Sequence, residues 1–113
     1  MNYKFRVIFL EEAEQFLETL EDKSREKVIY NIWKSRNVND PELLKKLEDD
    51  IWEFRTKYDG KQFRIFAFWD KTQKIDTIVA ATHGIIKKTD KTPKKEIDKA
   101  IKIREEYFKE KNK

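Results

Sequence analysis

The sequence predicts an α+β fold: a small mixed or antiparallel β-sheet with an N-terminal helical hairpin packed on one face and a C-terminal helix, in the order β-α-α-β-β-β-α. Three observations predict it. Apolar residues recur with helical spacing in residues 11–36 and again after Pro93. Between these stretches the period falls to two, in three successive runs rich in aromatic and β-branched residues. A length of 113 residues gives room for one domain, spanning residues 1–113, and 8 Phe, 4 Tyr and 3 Trp supply its interior.

Residues 3–9 alternate and then run apolar, which predicts a first strand; periodicity leaves open whether it joins the sheet beside the last strand or the middle one. From Glu11 to Asp22, Ala13, Phe16, Leu17 and Leu20 mark one helix face, and Glu11, Glu12 and Glu14 suit the positive end of the helix dipole. Ser24 is the expected N-cap of a second helix reaching Arg36, with Val28, Ile29 and Ile32 buried and Trp33 at the stripe's edge. Asp40 and Pro41 open a short turn carrying Leu43, Leu44 and Leu47. In residues 51–58, Trp52, Phe54 and Tyr58 fall on one face, which is core, and Glu53, Arg55 and Lys57 on a charged outer face. Asp59-Gly60 predicts a tight hairpin into Phe63–Trp69, a central strand apolar on both faces except at Arg64. A turn at 70–74 leads to a β-branched strand over 75–87, and Thr92-Pro93 opens the last helix with Ile97, Ala100, Ile101, Tyr107 and Phe108 inward. The helices are expected to cover one sheet face, and all three tryptophans to pack in the core.

Composition excludes whole classes of chemistry. No cysteine means no disulfide framework, thiolate metal site or thiol nucleophile, and one histidine, His83, excludes a His-pair metal site. Two glycines leave no Gly-rich phosphate loop. No cofactor and no metal are expected. The first residues contain no uninterrupted apolar run, so the reading is a cytoplasmic protein with no membrane partner.

Charge is uneven along the chain. Residues 1–50 hold 9 Lys and Arg against 12 Asp and Glu, and residues 51–113 hold 17 against 10. Lys87, Lys88, Lys91, Lys94 and Lys95 lie within nine residues with Asp90 as their sole acid. Phosphate is the natural partner of such a cluster, and a solvated basic surface is the alternative. Counting outward from the Asp59-Gly60 turn pairs Arg55 with Arg64 across two strands. Two guanidinium groups side by side suit an oxyanion; the alternative is that each pairs with a local acid such as Glu53 or Asp70. One of Lys87 and Lys88 must share the arginines' face, because strand side chains alternate. A lysine crowded by cations loses proton affinity and becomes a candidate general acid or base. His83 is the one ordinary general base by residue type, or else a hydrogen-bonded structural residue. The neighbouring Asp49 and Asp50 do not match the facing carboxylates of a glycosidase.

The ordered set Trp52-Glu53-Phe54-Arg55, Phe63-Arg64-Ile65, His83-Gly84-Ile85-Ile86-Lys87-Lys88-Thr89 and Lys91-Thr92-Pro93, followed by Glu96, Ala100 and Arg104, resembles the RelE/ParE superfamily of toxins, and more closely its phage-derived HigB-like subfamily. The likeness spans nearly the whole chain. It implies a RelE-like sheet and the toxin of a type II toxin–antitoxin system, a ribosome-dependent mRNA endoribonuclease that works in the ribosomal A site without metal. The implied partners are messenger RNA, the ribosome and a cognate antitoxin of helix-turn-helix type. Carried over residue by residue, the resemblance gives Arg55 and Arg64 phosphate and transition-state roles and lets Lys87 or Lys88 assist proton transfer. His83 is placed at the catalytic site or as its structural partner, and Lys57, Lys91, Lys94 and Lys95 bind RNA. RelE uses a tyrosine near its C-terminus, whereas Tyr107 here falls on the expected buried stripe and takes no such role. Better-studied HigB toxins use more than one histidine. ParE relatives share the fold and inhibit DNA gyrase instead, so a gyrase inhibitor and an inactive RNA-binding homologue stand as the alternative functions.

Overall fold

The structure is a computed structural model that describes residues 5–72, 77–87 and 91–113. The chain runs β1 (Arg6–Phe9), α1 (Glu11–Thr19), α2 (Asp22–Ser35), β2 (Leu44–Lys46), β3 (Trp52–Tyr58), β4 (Lys61–Asp70), β5 (Ile78–Lys87) and α3 (Lys94–Lys111). The five strands form one mixed sheet in the order β1-β5-β4-β3-β2. β1 lies parallel to β5, Val7 opposite Val79, and the other pairs are antiparallel. The predicted α+β class and helical hairpin are present, and the first strand sits beside the last.

Four local expectations are corrected. A fourth β-strand of the main run, β2, forms where a simple turn was expected, because Asp49 and Asp50 both take positive φ (52° and 64°) and fold residues 44–46 back onto β3. Such left-handed turns suit Asp, whose short side chain bonds locally. α1 ends at Thr19 instead of Asp22, since Leu20 is already extended (φ −81°, ψ 150°). The Arg25 side chain caps that end: Nε donates to the Leu17 carbonyl and Nη2 to the Leu20 carbonyl, both at 2.8 Å. α2 therefore begins at Asp22, with Glu21 at the cap position, and Ser24 is buried inside the helix. Trp33 is not core but 53% exposed, its ring 4.4 Å from the guanidinium of buried Arg36, which donates from Nε to the Phe5 carbonyl. Residues 3–4, 73–76 and 88–90 lie outside the described residues, and with them the outer ends of the first and last predicted strands, part of the turn at 70–74, and Lys88.

The largest correction concerns the layers. α1 and α2 pack on one sheet face, with Ala13, Leu17 and Val28 against Phe54, Phe63, Ile65, Ala67, Val79 and Ala81. α3 packs on the other, with Ile97 and Ala100 against Ile51, Phe66, Phe68 and Ala80. Helices thus cover both faces, not one. The reason is the central strand: β4 carries apolar side chains on both faces, and each face must be removed from water.

A β-bulge decides what lies on each face of β5. Phe66 pairs with His83 and Ala67 with Ala81, so Thr82 is the extra residue. Strict alternation from Ala81 would turn His83, Ile85 and Lys87 under α1; the extra residue turns them instead onto the face of Phe66 and Arg64. It also turns Gly84 under α1, where a Cβ would overlap the Phe16 ring. Gly84→Ala is accordingly expected to destabilise the protein by about 1–3 kcal/mol through overpacking, read as a lower urea midpoint at unchanged slope; an unshifted midpoint would show that Phe16 moves aside freely.

Candidate functional site

β3 and β4 place Arg55 opposite Arg64, in the register counted from the Asp59-Gly60 turn (φ 52° and 71°). Glu53, two residues before Arg55 on the same strand face, sits between them. Its Oε2 lies 3.6 Å from Arg55 Nε and its Oε1 3.6 Å from Arg64 Nε. The same Oε1 accepts a 3.0 Å hydrogen bond from the Thr92 hydroxyl, which in turn accepts from Lys87 Nζ at 3.1 Å. One buried carboxylate therefore gathers two arginines and, through a hydroxyl, a lysine. The acid-pairing alternative holds for Glu53 with both arginines, and Asp70 pairs with neither.

The expectation of an exposed charged face needs correction here. Arg64 is fully buried and Glu53 2% exposed. Arg64 donates to the Gln62 side-chain oxygen at 2.7 Å and to the Phe63 carbonyl at 3.1 Å. Arg55 is the arginine that reaches the surface: its side chain is 17% exposed and Nη1 lies 3.4 Å from the Pro41 carbonyl. Beside it opens a cleft of about 310 Å³ lined by Arg55, Glu53, Thr92, Lys91 and Lys45, with Ile97 of α3 at its side. Like charges directly opposite on a sheet repel; the Glu53 carboxylate, 3.6 Å from both Nε atoms, offsets that repulsion.

Of the other predicted site residues, Lys87 shares the arginines' face and is buried. Lys91 is at the cleft, while Lys57 and Lys95 are exposed on β3 and α3. Lys94 is held away in surface ion pairs, its Nζ 2.9 Å from Glu48 and 3.3 Å from Asp98, which raise its proton affinity. His83 is not among the residues lining the cleft. It is 3% exposed and stacks on Phe66 with centroids 4.8 Å apart. Burial pushes its pKa below the ordinary value, against the opposing pull of Glu96 and with Lys99 adding to the lowering. The neutral ring donates from Nε2 to Glu96 at 3.1 Å and accepts at Nδ1 from Thr82 at 2.9 Å, so it ties the bulge to α3. Lys88 lies outside the described residues. Sequence reasoning missed Glu53 and Thr92 as organisers of the site; the signal was the spacing Glu53-x-Arg55, which puts both on one strand face.

At the far end of β4, Asp70 anchors α3. Its Oδ2 accepts from the Tyr107 hydroxyl and Lys111 Nζ, each at 2.6 Å, and Oδ1 accepts from Thr72. Burial alone would raise the carboxyl's pKa, but these donors outweigh it and hold it well below the ordinary carboxylate range. Burial and the Asp70 charge push the Tyr107 phenol up to about 12. Tyr107 is half-buried and bound to a carboxylate, in keeping with the stripe position read from sequence.

Among the described residues no cluster of three His, Asp or Glu is placed to hold a metal ion, and no helix is long and apolar enough to cross a membrane. No curated protein matches the sequence significantly. Residues 15–105 match the family model described as phage derived protein Gp49-like (DUF891), a stretch that runs from α1 through the arginine pair and the bulged strand into α3. The chain therefore belongs to the phage-derived Gp49-like family, a RelE/HigB-like family of toxins in toxin–antitoxin systems.

Proposed function

We propose that the protein is the toxin of a type II toxin–antitoxin pair, of the HigB-like branch, and that it arrests translation as a ribosome-dependent mRNA endoribonuclease. The observation that carries the reading is the gathering of Arg55, Arg64 and Lys87 around Glu53 beside a cleft that Lys91 and Lys45 also line. In RNA transesterification the 2′-oxygen forms a bond to the adjacent phosphorus and the bond from phosphorus to the 5′-oxygen breaks. A base takes the 2′-proton and an acid returns one to the leaving oxygen. Charge grows on the phosphorane, and fixed guanidinium groups in a partly dry site stabilise it.

In this assignment Arg55 meets the scissile phosphate at the cleft. Arg64 stands behind it, holding Glu53 and adding positive potential from the interior. Lys87, or Lys88, assists proton transfer. Lys57, Lys91, Lys94 and Lys95 track the RNA backbone, with Lys94 exchanging Glu48 and Asp98 for phosphate, and His83 supports the site from the bulge. The cognate antitoxin, of helix-turn-helix type, meets this basic face with an acidic segment, which makes the association weaken with ionic strength.

The test is regulated expression in a bacterium with 5′-end mapping of messages, alongside cleavage in a purified translation system. Wild type is expected to give cuts in register with the reading frame. Arg55→Gln is expected to reduce cleavage by about 10²–10³-fold with little change in thermal midpoint, because that side chain lies at the surface. Growth arrest with intact messages and failed DNA supercoiling would overturn the nuclease reading in favour of gyrase inhibition.

A further inference from the structure

The cleft beside Arg55 is not the largest among the described residues. A cleft of about 670 Å³ opens where β3 begins and β4 ends, and no described residue lines both. Its walls include the rings of Trp52, Trp69 and Phe108, all half-buried. Lys46, Lys71 and Arg104 stand around them, with Asp50 as the one carboxylate among the described lining residues. The two indoles meet edge to face with centroids 5.7 Å apart. Lys71 Nζ lies 5.7 Å from the Trp69 ring, and the Arg104 guanidinium 5.2 Å from the Phe108 ring. Trp69 Nε1 and Arg104 Nε are buried and meet no acceptor among the described residues.

We infer that this cleft binds a nucleotide, with its base against the indole and phenyl rings and its phosphate among Lys46, Lys71 and Arg104. The volume falls within the 300–1,000 Å³ usual for ligand sites. Planar aromatic walls beside three cations suit a ligand with a π-face and an anion, the combination by which nucleotides of single strands are held. These N–H donors call for acceptors, which base carbonyls, ring nitrogens and phosphate oxygens supply. Asp50 adds an acceptor to the lining, to which ribose hydroxyls and base amino groups donate, whereas the side chains of an acidic peptide bring only further acceptors. The nucleotide is either free or part of an RNA strand. Trp52 starts three residues from Arg55 on the same strand, roughly 10 Å at 3.3 Å per residue. The inference stands apart from the cleavage reading, because the pocket shares no residue with that cleft.

The test uses the full chain carrying Trp33→Phe, which removes the exposed indole outside the pocket, and reads the fluorescence of Trp52 and Trp69. Ribosome-free protein is titrated with nucleoside monophosphates, with a short single-stranded RNA, and with an oligoglutamate peptide. Saturable quenching by monophosphates is expected if the ligand is a free nucleotide; quenching by RNA alone places the nucleotide within a strand, and both results support the site. Lys71→Glu and Arg104→Gln are each expected to weaken the binding about tenfold. Three outcomes overturn the inference: no quenching by any nucleotide or RNA, quenching that Lys71→Glu and Arg104→Gln do not weaken, or quenching by the peptide in place of nucleotides. Loss of mRNA cleavage with quenching intact would count against the nuclease reading alone.

Discussion

Replacing Glu53 with alanine is expected to lower stability by about 3–5 kcal/mol, the usual result of removing one partner from a buried ion pair. The physical reason is Arg64. Its side chain is fully buried with Glu53 as its ion-pair partner at 3.6 Å, and the guanidinium cannot shed its proton to escape the interior. Removing the carboxylate also leaves Arg55 directly opposite Arg64 without the negative charge that lies 3.6 Å from both, and frees the Thr92 hydroxyl from its acceptor. Against a total stability of about 5–15 kcal/mol for a domain of this kind, the change takes a large share. Glu53→Gln keeps the shape and an oxygen for Thr92 and loses the charge, so it should fall between wild type and alanine. Urea is the right denaturant, because guanidinium salt screens the interaction under study. An alanine variant within about 1 kcal/mol of wild type would show that the interior disperses Arg64's charge without Glu53. The same argument makes Arg64→Ala a poor probe of function, since its loss of activity and its loss of fold arrive together, and gives Arg55 the cleaner experiment.

Asp70→Asn is expected to cost about 2–3 kcal/mol at neutral pH, the range for hydrogen bonds to a charged group, and the cost should depend on pH in a definite direction. Folding holds the Asp70 carboxyl below its ordinary value of roughly 3.9. A group whose folded pKa is depressed stabilises the fold fully above the unfolded value, and that stabilisation disappears as the pH falls through the folded value. The gap between wild type and Asp70→Asn should therefore be constant from pH 7 to about pH 5 and narrow below pH 4 as the unfolded chain ceases to lose the proton. Urea unfolding of both proteins at pH 7, 5 and 3 measures it. A gap independent of pH would mean that Asp70 acts by shape alone. Because Tyr107 and Lys111 are the partners, the lost stability should appear first as fraying of the end of α3, visible as faster amide exchange there than in β4.

The sequence made the arginine register legible because a two-residue turn leaves no freedom in counting outward, and Asp59-Gly60 is such a turn. It also contained the evidence against a single helical layer: Phe66 and Phe68 alternate with Ile65 and Ala67, and an apolar residue at every position of a central strand already demands cover on both faces. What periodicity could not supply was the phase of β5. A bulge adds one residue without any composition signal, and Thr82 looks like any β-branched strand residue. The short β2 strand was hidden for a similar reason, since its existence depends on two aspartates adopting left-handed backbone, which Asp permits and does not require. At the site, residue types read from the chain gave the cations. Which of them lie inside and which reach the surface followed only from α3 closing over the second face, and so did the central place of Glu53.

The extra residue in β5 also bears on how the chain can change in length. Thr82 is the one member of the strand that has no partner in the register with β4, so its excision would leave Ala81 and His83 in the pairings they already have, and Lys87 on its present side. Excision of a fully paired residue between His83 and Ile86 would instead put everything after it out of step and carry Lys87 beneath α1. The strand thus holds one spare unit of length. Relatives that differ by a residue here can keep the same basic cluster provided the difference falls at the bulge.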